Sequence, residues 1–101
     1  MIKHIVCFKL KDNSLENCQK ARDILMSMKG RVDTLIDIQV GIDFLHSERS
    51  YDIILETIVA DEAALAAYQN DPYHCDVVKK HMHEVRTSSV SVDYYIEEKQ
   101  S

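Results

Sequence analysis

YQNDPYHCDVV, residues 68–78, holds the single proline of a 101-residue chain, and its reading decides how the second half is built. Asp71 is a side-chain acceptor suited to an N-cap, and Pro72 fits the first helical position, where no backbone N–H is needed. The pair therefore ends one helix and starts another. Upstream, Asp61 can cap a short helix running through Leu65 to Tyr68. Downstream, His74, Val77, Val78, His81, Met82 and Val85 recur at helical spacing and form one inward stripe. Tyr68 and His74 are thereby left on the two sides of a corner.

Working outward, SSVSVDYYIE (88–97) alternates as a strand, with Val90, Val92, Tyr94 and Ile96 on one face. YDIILETIVA (51–60) is a strand apolar on both faces, which predicts a central position or a second face covered by something else. The polar HSERS (46–50) separates it from LIDIQVGIDFL (35–45), where Ile36, Ile38, Val40, Ile42 and Phe44 oppose Asp37, Gln39, Gly41 and Asp43. NSLE (13–16) offers Asn13 as an N-cap with Glu16 three residues later, a capping-box pattern. Leu15, Cys18, Ala21, Leu25 and Met28 follow at helical spacing, and Gly30 can stop the helix. In the first strand Ile2, His4, Val6, Phe8 and Leu10 share one face, while Lys3, Ile5, Cys7 and Lys9 take the other.

The order β-α-β-β-α-β predicts an α+β fold, the ferredoxin-like sandwich with a four-stranded antiparallel sheet. Helices can cover only one face of such a sheet. The other face, with Ile5, Cys7, Ile54 and Ile58, is too apolar for water. It is expected to pack on a second copy, giving a homodimer joined sheet to sheet.

A chain of this size, 11.7 kDa, holds one domain over residues 1–101. A net charge of −5 argues against nucleic acid and anionic membranes as partners, because phosphate binding needs an excess of Lys and Arg. Lys79, Lys80 and His81, followed by Glu84, read as a solvated helix face. The opening residues read as a strand rather than a signal peptide, and no apolar run reaches the roughly 18 residues of a membrane helix. Cys7, Cys18 and Cys75 are scattered and odd in number, the pattern of reduced thiols in a cytoplasmic protein. Cys75 lies about 100° around the helix from His74, and His81 is two turns on, so no metal site is expected. Nor does a Gly-rich phosphate loop or nucleophile elbow point to a nucleotide cofactor or a triad.

The stretches IKHIVCFKLKD, GIDF, YDIILE, YQNDPYHCDVV and VDYY, in this order and spacing, resemble the stress-responsive dimeric α/β-barrel (Dabb) family. The resemblance covers essentially the whole chain. It implies a ferredoxin-like protomer whose sheet pairs with another into a barrel. Some plant members are polyketide cyclases that close a linear polyketide by aldol condensation without a cofactor. By that resemblance Tyr68 and His74 are the acid–base pair, and His4 is a pocket histidine on the first strand. The corresponding third-strand position is Ile53, an apolar residue, which departs from the cyclase pattern.

The side-chain chemistry supports the same assignment. Enolisation needs a base with a pKa near ambient pH and a donor for the developing enolate oxygen, roles that suit His74 and Tyr68. Positive dipoles in the first helical turn favour neutral imidazole at His74. The structural reading is that His74 braces the helix break and Tyr68 fills the core. His4 on an apolar strand face is a satisfied core histidine or a pocket residue. His81 continues the His74 stripe, either lining the same cavity or simply packing, whereas His83 and His46 read as solvated. Three readings follow: a cofactor-independent lyase or cyclase acting on a small carbonyl-bearing hydrophobic molecule, a stress-associated ligand-binding dimer, and a pure assembly module.

Overall fold

The computed structural model describes residues 1–96, so Glu97, the last residue of the expected fourth strand, lies outside the described residues. Period-two alternation along the first segment becomes β1 (Ile2–Leu10), and the stripe that follows becomes α1 (Leu15–Met26). Then come β2 (Asp37–Ile42), β3 (Ile53–Val59), α2 (Glu62–Gln69), a π-helical segment (His74–Lys79), α3 (Lys80–Val85) and β4 (Arg86–Tyr95). The strands form one antiparallel sheet in the order β2-β3-β1-β4. This is the ferredoxin-like α+β fold. β3, apolar on both faces, does lie inside the sheet, between β2 and β1.

The core fills the space between the sheet and the helices. Phe8 and Leu10 from β1, Ile53 and Leu55 from β3, Cys18, Ala21 and Leu25 from α1, and Tyr68 from α2 are all buried there. α1 is capped by Ser14, whose Oγ accepts from the Asn17 N–H at 3.3 Å, and not by Asn13. The reason is a competing partner. Asn13 Nδ2 donates to the buried Asp52 carboxylate at 3.1 Å, and that carboxylate also accepts from Leu10 N at 2.8 Å. Ser14→Ala should therefore cost about 1 kcal/mol in urea unfolding through loss of the cap. Asn13→Ala, if it costs more, reports the tie to Asp52, just before β3, rather than the helix end.

The second strand is shorter than its alternation predicts. Pairing with β3 runs from Asp37↔Ile58 to Ile42↔Ile53 and ends with one further backbone bond, from Asp43 N to Asp52 O at 2.9 Å. The chain turns away at Asp43, whose carboxylate accepts from His46 N at 2.8 Å, with His46 at φ 52°. Phe44 thus leaves the sheet and is 89% exposed, and Ile36 is exposed before the strand starts.

At the expected break, Asp61 caps α2 and Asp71 accepts from both Tyr73 N and His74 N, at 2.9 and 3.1 Å. The helix begun at Pro72 does not wind uniformly. Its π-helical turns at His74–Lys79 hold one residue more than α-helical turns would, so the inward positions become His74, Val78 and Met82. Val77, expected on the inward stripe, is 44% exposed. Tyr73 braces the segment: its hydroxyl hydrogen-bonds Ser27 Oγ at 2.6 Å, and the Arg31 guanidinium lies 5.1 Å from its ring centre.

β4 divides its faces sharply. Val90, Val92 and Tyr94 pair with Cys7, Ile5 and Lys3 on the face away from the helices. Ser89, Ser91 and Asp93 point to the helix side. The helix-free face thus presents Ile5, Cys7, Ile54 and Ile58, half-buried, beside exposed Val90 and Val92. Among the described residues no helix is long and apolar enough to cross a membrane.

Candidate functional site

β4 lies at the sheet edge, and the helices do not close over its inner face. A cavity of about 530 Å³ remains there, within the range of small-molecule sites. Its depth is apolar, with Val6, Phe8, Leu25, Leu55, Val78 and Met82. Its mouth is polar and largely exposed, with Asn70, Lys79, His83, Arg86, Ser89 and Ser91.

Three rings meet in the wall. Tyr68 ends α2, and His74 opens the next helical stretch across the Asp71-Pro72 corner. Their ring centres are 4.6 Å apart at 46°. His4 projects from β1 and meets Tyr68 edge-on at 5.7 Å. His4 and Asp93 are direct cross-strand partners, and the His4 Nδ1–H donates to Asp93 Oδ1. That bond fixes the ring and occupies Asp93. It was foreshadowed by the alternation of β4, since Val92 and Tyr94 on one face put Asp93 on the other.

Tyr68 is 1% exposed, and its hydroxyl has no hydrogen-bond partner among the described residues. The same is true of His74 Nδ1. Leaving a buried polar group unpaired costs roughly 1–3 kcal/mol. Burial, reinforced by the Asp93 carboxylate, pushes the Tyr68 pKa well above the ordinary tyrosine value. Burial also lowers that of His74. Lys79 and His4 add to this, against the opposing pull of the Gln69 carbonyl and Asp71. The pair is thus a hydroxyl that keeps its proton and an imidazole that stays neutral, a donor beside an acceptor.

Two residues expected in the cavity do not reach it. The wider π turns carry His81 around toward α1, where burial and the Lys20 ammonium lower its pKa. Ile53 packs in the core opposite Phe8 but does not line the cavity, and Leu55, opposite Val6, takes the wall position. His83, read as solvated on the far side, stands instead at the mouth with Lys79 and Arg86. Among the described residues no group of three or more His, Cys, Asp or Glu is placed to hold a metal ion.

A one-sided helix layer, a four-stranded antiparallel sheet and a cavity between them define a ferredoxin-like protomer. Residues 2–96 match the Stress responsive A/B Barrel Domain (Dabb), and the chain belongs to that family. No curated protein sequence gives a significant match. Among solved structures, the chain is similar to a dimeric ferredoxin-like protein of unknown function from Bacteroides fragilis, at 24% identity and TM-score 0.78, covering 94% of this chain and 95% of that one. It is also similar to a Dabb family protein from Mesorhizobium loti, at 21% identity and TM-score 0.73, covering 96% and 97%. A hydroxynitrile lyase from Passiflora edulis shares the fold at 14% identity and TM-score 0.81, covering 99% and 96%. At such identities the likeness is one of fold.

Proposed function

We propose that this protein is a homodimer that binds a small hydrophobic, carbonyl-bearing molecule between sheet and helices. It acts on that molecule without a cofactor, as a lyase or cyclase. His74 takes a proton from the carbon next to the carbonyl, and the Tyr68 hydroxyl donates to the oxygen on which charge develops. His4, held by Asp93, packs against Tyr68 and orients it. The observation that carries this reading is the buried Tyr68 hydroxyl, without a partner among the described residues, set beside the His74 ring in a cavity wall. A merely structural tyrosine would be expected to satisfy that atom. The dimer is supported by the apolar helix-free face and by the Bacteroides fragilis protein's being dimeric.

The test works whatever the final product is. Ketones that raise the melting temperature are incubated in D2O, and α-proton exchange is followed by NMR. Exchange above the buffer rate, abolished by His74→Ala, is expected. Because the His74 pKa is lowered, the neutral base persists as pH falls through the ordinary histidine value near 6.5, and the rate declines only below it. Ligands that bind without any exchange would leave a binding protein and remove the enzyme.

A further inference from the structure

Two local irregularities each insert one residue, and both deliver a cation to the same place. The first is the π-helical segment, whose extra residue puts Lys79 at the cavity mouth while its neighbour Lys80 stays on the outer helix face. The second is a bulge in β4. Lys9 pairs with Ser88, but Leu10 pairs with Arg86, so Thr87 is the inserted residue. In strict alternation Arg86 would share the helix-free face with Ser88 and Val90. The bulge turns it to the cavity side, opposite Leu10. Its Nη2 then donates to His83 Nε2 at 3.4 Å, so His83 positions the guanidinium.

Nothing among the described residues neutralises these two cations. Among the described residues neither Lys79 nor Arg86 has a carboxylate within 4.0 Å, and no Asp or Glu lines the cavity. Of the carboxylates beside the ring cluster, Asp93 is engaged by His4, and Asp71 by the backbone N–H groups of Tyr73 and His74. In a chain of net charge −5 this is a local reversal of sign. Deeper in the same cavity lies the unpartnered hydroxyl of the fully buried Tyr68.

We propose that the cavity takes an amphipathic anion, with its apolar chain against Phe8, Leu55, Val78 and Met82 and its acidic head, carboxylate or phosphate, held at the mouth by Lys79 and Arg86. The inference rests on reading the cavity as a ligand site and names the substrate class. An acyl chain with an acidic terminus fits the order of surfaces met from inside to outside: apolar wall, donor–acceptor pair, cations. Charge-assisted contacts at both cations supply orientation as well as affinity, because they fix which end of the molecule enters first.

Calorimetric titration of the intact protein with octanoate, methyl octanoate and octyl phosphate tests it. Octanoate is expected to bind roughly tenfold more tightly than its methyl ester. Lys79→Gln and Arg86→Gln should each weaken octanoate by roughly tenfold and leave the ester unchanged. The unchanged ester also shows that the variants are folded. Added salt should weaken the anion and spare the ester. Octyl phosphate binding more tightly than octanoate assigns the head to a phosphate; the opposite order assigns it to a carboxylate. The proposal is overturned if the ester matches octanoate in the wild type, if the double variant holds octanoate undiminished, or if neither anion binds. That failure is separable from failure of the acid–base pair, because proton exchange in a neutral ketone depends on His74 and not on the mouth.

Discussion

Val92→Asp is expected to convert the proposed dimer to a folded monomer. Val92 is 60% exposed in the single chain and pairs with Ile5 on the helix-free face, beside Val90 and Cys7. A sheet-to-sheet contact would bury it in both copies at once, since a two-fold interface doubles every substitution. Each unpaired carboxylate taken out of water costs several kcal/mol, so two of them should raise the dimer dissociation constant by at least about a thousandfold. Light scattering on a sizing column at micromolar concentration reads this directly. Lys80→Asp, on an exposed helix position on the opposite side, serves as the control and should remain dimeric. The monomer should keep its secondary structure, because Val92 contributes little to the protomer core. It should also keep its cavity, which lies on the other side of the sheet. A wild-type protein that runs as a monomer at this concentration would sink the dimer altogether.

The same face shows how far alternation alone can reach. It places Ile5 and Cys7 opposite His4 and Val6 whatever the register, and Ile54 and Ile58 outside β3 by the same rule. Topology follows from such periods together with the Asp71-Pro72 corner, which also brings Tyr68 and His74 together. The mouth was not legible for a specific reason. Period counting assumes that every turn and every pleat holds the same number of residues. The π segment and the Thr87 bulge each break that assumption by one, and nothing in the composition of HCDVVK or RTSS announces it. From there the register drifts: His83 replaces His81, Lys79 joins the cavity, and Arg86 changes face. Ser14 and Asn13 illustrate a smaller ambiguity. Both side chains can cap, and the choice is settled by Asp52, a residue 39 positions away from Asn13.

Tyr68→Phe should make the protein more stable and less able. The tyrosine hydroxyl is buried without a partner among the described residues, so the folded state carries a desolvation cost of roughly 1–3 kcal/mol that phenylalanine does not. Part of that gain is offset by the small void left where the oxygen was. A net stabilisation of about 1 kcal/mol corresponds to a melting temperature higher by about 4–8 °C in a domain of this size. Ring packing against His4 and His74 is retained, which separates this variant from Tyr68→Ala and its expected loss of about 3–5 kcal/mol. The proposed reaction should respond in the opposite sense. Removing a preorganised donor to a developing oxyanion typically lowers turnover by about a hundred- to a thousandfold, with ligand binding changed much less. Because burial and Asp93 raise the Tyr68 pKa, the lost function is that of a neutral hydroxyl throughout the accessible pH range. Thermal unfolding and α-proton exchange on the same preparation decide the matter. A destabilised Tyr68→Phe protein would mean that the hydroxyl serves the fold. A stabilised protein with undiminished exchange would mean that it serves nothing. Only a gain in stability joined to a loss of exchange is consistent with an unpaired hydroxyl kept for a ligand.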